Sequence, residues 1–179
     1  MVHDRELLER LTAFSPVTFD GAVFRATRRG LNAVAPSVSG GRWMVPNQAP
    51  TLYTSVERDG ALAEIVYHWN QLAPRPSKPV VVHELRLITK KTLRLGRAEL
   101  TDLGIEWSRY GQTSYRQTQA IGAAVAYLDY DGLIAPSARW SCDNIIVFLG
   151  NSEGDEEVAR LIDSSEVDWI EWAKSHGRL

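Results

Sequence analysis

Between Ser39 and Trp69 the chain brings arginine, aromatic rings and a candidate acid, Glu64, into a short span. Gly40 and Gly41 precede Arg42 and Trp43, an apolar run leads to Tyr53, and Glu64 follows on a helical pattern. A guanidinium grips phosphate through paired N–H donors, and a ring offers a stacking face. A lone carboxylate can stabilise developing positive charge. Together these make the equipment of a small polar pocket. Arg25 adds a second cation on a strand, and Ser137 stands just after the strand-ending Pro136. Each also has a plainer reading. Arg25 suits the surface of a strand, Arg42 can stack on Trp43, and Glu64 can be a solvated helix residue paired at most with His68. Ser137 is placed as a turn residue and lacks the G-x-S-x-G elbow of a hydrolase nucleophile. Residue types and spacing leave both sets of readings open.

The elements that must carry these residues are legible from periodicity. Residues 4–13 place Leu7, Leu8 and Leu11 at helical spacing, with acids in the first turn. Residues 21–27 predict a short strand, 28–41 a loop rich in Gly, Ser, Pro and Asn, and Thr51–Ser55 a second strand. Ser55 is then the expected N-cap of a helix over Val56–Asn70. In that helix Leu62, Ile65, Val66 and Trp69 face the core, and Glu64 lies on the opposite line with Glu57, Gly60 and His68. Alternation predicts a long strand from Pro79 to Thr89 that carries His83 as a packed or edge residue. Lys90–Gly111 reads as loops with a short strand, and Thr113–Tyr127 as a well-buried helix. GLIAP and NIIVFL read as strands, Asp155–Ile162 as a helix, and Glu166–His176 as a tail with Trp169 and Trp172.

Composition narrows the function classes. The chain has 179 residues, 44% of them hydrophobic, with six tryptophans, enough for one ordinary domain and core. A net charge of -2 gives no footprint for direct nucleic-acid binding. The single cysteine, Cys142, excludes an intramolecular disulfide, and the four scattered histidines show no metal-ligand spacing, so no metal is expected. The charged N-terminal stretch lacks the apolar core of a signal peptide. The longest stretch free of charged side chains, Trp43–Val56, is too short to span a bilayer, which takes ~20 apolar residues. These features predict a soluble, cytoplasmic protein that does not engage a membrane. The apolar and aromatic termini leave room for a homodimer.

In order along the chain, VFRAT at Arg25, SGGRW at Arg42, LYTS at Tyr53, ALAE at Glu64, and DYDGLIAPSAR followed by DNIIVF resemble the RES-domain family, over roughly residues 20–150. The whole chain is then expected to be a single RES domain with an N-terminal helix and a C-terminal helical tail. Met44 departs from the pattern, standing where a polar residue commonly follows the tryptophan. Asn47 stands where glycine is more usual, and it tolerates positive φ. Both changes are expected at the pocket rim.

The resemblance implies an α+β fold like that of ADP-ribosyltransferases, with mixed sheets around a central cleft and flanking helices. It implies a toxin of a bacterial toxin–antitoxin pair whose partner is an Xre-like helix-turn-helix antitoxin that blocks the cleft. NAD+ would be substrate rather than cofactor, and no other cofactor is implied. Nicotinamide leaves NAD+ as a neutral group and needs no general acid, so one carboxylate suffices where ordinary glycosidases use two. On this resemblance Glu64 would stabilise the ribosyl oxocarbenium ion. Arg25 and Arg42 would hold the diphosphate, and Tyr53 would stack on or orient the nicotinamide. Ser137 would hydrogen-bond the nicotinamide or its ribose, with Asn144 in support. Three outcomes follow: hydrolysis or phosphorolysis of NAD+, transfer of ADP-ribose to a protein, or an inactive domain that only binds its antitoxin.

Overall fold

The computed structural model describes residues 3–152 and 158–179. It is a mixed α+β structure built on one sheet. Its elements are α1 (Arg5–Thr12), β1 (Val17–Arg28), β2 (Thr51–Ser55), α2 (Arg58–Trp69) and β3 (Val80–Arg94). They continue with α3 (Arg97–Asp102), α4 (Trp107–Tyr110), α5 (Arg116–Tyr127), β4 (Gly132–Pro136), β5 (Asp143–Phe148), β6 (Ala159–Val167) and α6 (Trp169–Ser175).

The sheet runs β1-β2-β5-β4-β3-β6, and β1 also pairs with β3, so five strands close into a ring with β6 added along β3. The expectation of several sheets around a cleft is corrected here: one sheet curls on itself. Long β1 and β3 are antiparallel from Val17↔Thr92 to Arg28↔Val80. Parallel β4 takes the far edge of β3 at Thr92–Arg94, and β6 lies antiparallel along Val80–Leu87. The ring closes at a single residue pair between β1 and β2, Phe24↔Ser55.

Alternation of side chains explains why the ring is stable. Val23, Leu52, Leu85, Leu87, Ile134, Ile145 and Val147 come from five strands and form a dry interior cluster. The opposite side chains feed two outer layers. On one side Leu93, Leu133, Ile146 and Phe148 pack with Ile121, Ala124 and Val125 of α5 and with Leu11 of α1. On the other, Val80 and Val82 pack with Leu62, Val66 and Trp69 of α2 and with Trp169 and Trp172 of α6. Trp69 and Trp169 meet edge to face, ring centroids 5.5 Å apart, a geometry that favours aromatic pairs. The tail tryptophans are thus buried within the chain.

The structure departs from the sequence reading at four places. β1 begins at Val17, and β3 runs on to Arg94, because the two strands pair along almost their whole length. Lys90–Gly111 therefore holds the end of a strand and two short helices. Ser55 does not cap α2: it pairs with Asn144 and Phe24 as the last residue of β2, and the helix starts at Arg58 after Glu57. In the stretch expected to be helical over 155–162, Ala159–Ile162 belong to strand β6, drawn into the sheet by β3. Residues 155–157 of that stretch lie outside the described residues. Among the described residues no helix is long and apolar enough to cross a membrane.

Candidate functional site

A cavity of about 270 Å³ opens where β1 and β2 diverge, and its wall includes Arg42, Tyr53, Glu64 and Asn144. Glu64 reaches it from the middle of α2. On the line that carries Glu64, Glu57 and His68 at the ends are exposed, but Gly60 is buried, with Ala61 buried beside it. The helix is packed on two sides, and the carboxylate sits between them, half-buried.

One oxygen of that carboxylate is fully engaged. Glu64 Oε1 accepts from Ser137 Oγ at 2.8 Å and from Asn144 Nδ2 at 2.9 Å. Oε2 has no protein donor among the described residues. Ser137 is itself fixed by its turn, its Oγ accepting from the backbone N–H groups of Arg139 and Trp140 at 3.1 and 3.2 Å. With its proton given to Glu64, the hydroxyl acts as a positioner of the acid. Asn144 is delivered by β5 opposite Ser55, and its Oδ1 is buried without a partner.

Arg42 projects from a tight turn closed by Gly41 N–H donating to Met44 O at 2.9 Å. A side chain at Gly41 would meet the Tyr53 ring at 2.8 Å, so the glycine lets the turn lie on that ring. The Arg42 guanidinium lies between two tyrosine faces, 4.8 Å from the Tyr110 centroid and 4.7 Å from that of Tyr115. It donates from Nη1 to Tyr110 O at 2.5 Å. Burial lowers its pKa, opposed by the neighbouring tyrosines and Glu64, yet a guanidinium so placed stays charged.

Tyr53 projects from β2 with a half-buried ring. Its hydroxyl is buried against the backbone of Trp43 and Met44 but makes no hydrogen bond of good geometry. Burial holds the phenol far above its ordinary pKa, so the group stays protonated. Arg25 also borders the cavity. Its Nη1 clamps the carbonyls of Ala33 and Ala35 at 2.8 and 2.6 Å and so pins the loop after β1. Among the described residues Nε and Nη2 have no protein acceptor. Desolvation lowers the Arg25 pKa as well.

The structure therefore brings Arg25, Arg42, Tyr53, Glu64 and Asn144 to one cavity, with Ser137 behind the acid. Sequence reasoning did not assign His68, Ser55 and Tyr115 to this wall, yet all three line it. For His68 the signal was present, one helical turn beyond Glu64. Burial, and then Arg139 and Arg42, lower its pKa against the pull of Glu64. Tyr115 sits just before α5 and carries no local signature. Met44, expected at the rim, is instead 1% exposed in the core under α5, where a polar residue would be costly. Asn47 has φ 59, as its expected tolerance of positive φ requires. His83 is packed, with Nε2 2.9 Å from Thr27 Oγ1 and Nδ1 2.7 Å from Ser164 Oγ.

The chain has been compared with known families, curated proteins and solved structures. No curated protein matches it significantly. The crystal structure of the M. tuberculosis MbcT–MbcA toxin–antitoxin complex contains a similar chain, the MbcT toxin, at a TM-score of 0.82 and 18% identity, over 96% of this chain and 97% of that one. That likeness establishes the fold. A model of the RES domain matches residues 19–170, from β1 into α6, and takes in every site residue described above. The chain belongs to the RES-domain family.

Proposed function

We propose that this protein is the toxin of a toxin–antitoxin pair and that it consumes NAD+ by breaking the nicotinamide–ribose bond. The observation that carries this reading is the state of Glu64. Two donors hold Oε1, and among the described residues Oε2 is left without a protein donor beside a cavity lined by arginine and tyrosine. A carboxylate held in advance suits a transition state in which positive charge develops on a ribose. Membership of the RES-domain family and the likeness to a toxin crystallised with its antitoxin support the same reading.

In this mechanism the nicotinamide riboside half enters the cavity with its ribose against Glu64. The unpartnered Oε2 meets the ribose hydroxyls and the developing oxocarbenium ion, while Ser137 and Asn144 keep the carboxylate from turning away. Arg42, with the remaining donors of Arg25, faces the diphosphate. Tyr53 orients the nicotinamide ring. Nicotinamide departs with the bonding electron pair as a neutral base, and water or phosphate takes the vacated carbon. The partner is an antitoxin that covers the cavity mouth.

The test is the NAD+ level in cells after induction of this protein alone, beside Glu64→Gln. The amide keeps size and hydrogen bonding but not charge, so folding should persist and NAD+ loss should slow by ~10²-fold or more. Equal NAD+ loss from a folded Glu64→Gln protein would remove the acid from the mechanism. Label from NAD+ found on protein rather than in free ADP-ribose or its phosphate would move the activity to ADP-ribosyl transfer.

A further inference from the structure

Arg42 also borders a second cavity, of about 140 Å³, whose lining does not include Glu64. This one is formed by α4, the turn after it and the first turn of α5, and its lining includes Arg109, Gln112, Ser114, Arg116 and Gln117. Three guanidinium groups therefore bound it. Its one carboxylate, Glu106, lies 3.7 Å from Arg109 in a pair whose side chains are 64% and 68% exposed, so the surface keeps a net positive charge. Long, exposed arginines at a concave surface beside a polar amide and a hydroxyl are the chemistry of phosphate and ribose recognition.

Size supplies the second argument. The cavity beside Glu64, at about 270 Å³, falls short of the roughly 300–1,000 Å³ that encloses a drug-sized ligand, and a dinucleotide is larger than such a ligand. Half of it must lie elsewhere. Arg42 forms a shared wall between the two cavities, so a diphosphate resting on that guanidinium would direct its two halves to opposite sides.

We infer that the cavity bounded by Arg42, Arg109 and Arg116 takes the phosphoryl group and ribose of the adenylate half of the dinucleotide, its volume of about 140 Å³ leaving the adenine at the mouth. The inference rests on the reading of NAD+ as substrate and names the part of the molecule that the Glu64 cavity leaves unheld. Arg109 and Arg116 are substrate-positioning residues, remote from the reacting carbon, so they act on binding and not on the bond-breaking step.

The test uses the whole protein and two variants, Arg109→Ala and the double variant Arg109→Ala/Arg116→Ala, both exposed changes that thermal melting should show to be folded. Two quantities are measured: KM and kcat for NAD+, and the Kd of adenosine monophosphate by calorimetry. The double variant should raise KM about tenfold or more, on the scale of lost charge-assisted hydrogen bonds, with kcat within twofold, and should weaken nucleotide binding by a similar factor. A fall in kcat at unchanged KM would overturn the inference, as would equal affinity of the native and double-variant proteins for the nucleotide or no binding to either. If the native protein consumes no NAD+, the reading of its function fails, and the nucleotide titration still decides whether this cavity holds an adenylate.

Discussion

Glu64 and Tyr53 meet the same cavity in opposite states, and the contrast sets what substitution should do. Glu64 has one satisfied oxygen and one open to a ligand. Tyr53 presents a buried hydroxyl with no partner, a condition that costs free energy in the unliganded protein. Removing that oxygen takes away the unpartnered side-chain atom. Tyr53→Phe should therefore fold as well as the native chain or slightly better, with a chemical-denaturation midpoint equal or higher. If the hydroxyl is kept for the substrate, the same variant should lose NAD+ turnover about tenfold, measured on purified protein. A lower midpoint with full turnover would show that the hydroxyl serves the fold. Residue types marked these two positions as candidates, because an acid and a ring on adjacent elements are visible in a sequence, and the family resemblance gave them their expected roles. They did not reach the two donors on Oε1 as donors to Glu64. Ser137 and Asn144 are distant in sequence from α2, and only the pairing of β5 with β2 and β4 brings them to it.

At the scale of elements, α5 positions the arginine turn by what it lacks. A Cβ added at Gly122 would come within 1.8 Å of the Trp43 carbonyl oxygen, a backbone atom that cannot swing aside. Gly122→Ala should therefore destabilise the fold by about 1–3 kcal/mol or more, as overpacking does, and should displace Arg42 with the turn. Urea unfolding checks the first effect and KM for NAD+ the second; an unchanged midpoint would mean that α5 can slide on the turn. Periodicity found α5 and the body of α2, and short apolar runs marked β2 and β5, which are buried along most of their length. It failed where tertiary pairing decided the outcome. Of residues 159–162 only Ala159 is buried, so there is no clean alternation to read, and they are extended because β3 offers them an edge. The helix pattern of α2 hid the burial of its second face, so Glu64 looked solvated until the cavity wall was in place.

For the whole molecule, buried histidine links stability to pH. His83 is 6% exposed between β1 and β6, contacted by Thr27 and Ser164, with Arg25 nearby. Burial, reinforced by that cation, lowers its pKa below the ordinary 6.5. The unfolded chain then takes up a proton at a higher pH than the folded one. Stability from this group is complete above about pH 6.5 and is lost as pH falls toward the lowered folded value. His68 shifts in the same direction. Urea midpoints at pH 7.5 and 5.5 should show the native protein weakened at the lower pH. His83→Gln should show a smaller difference between the two; an unchanged difference would place the proton uptake on other groups.

The join between β1 and β2 has a dynamic consequence. The ring is secured by a long ladder between β1 and β3, yet β1 and β2 hold each other at Phe24 and Ser55 alone. In hydrogen-exchange language, this is the place where the barrel should breathe first, since one pair opens at far lower cost than a ladder. The cavity lies at that join, so a bound dinucleotide would act as the missing rungs. Amides around Phe24 and Ser55 should exchange before those of the β1–β3 ladder in the free protein and slow once the ligand is in place. Catalytic readiness and the weakest seam of the sheet are then one property of the same few residues.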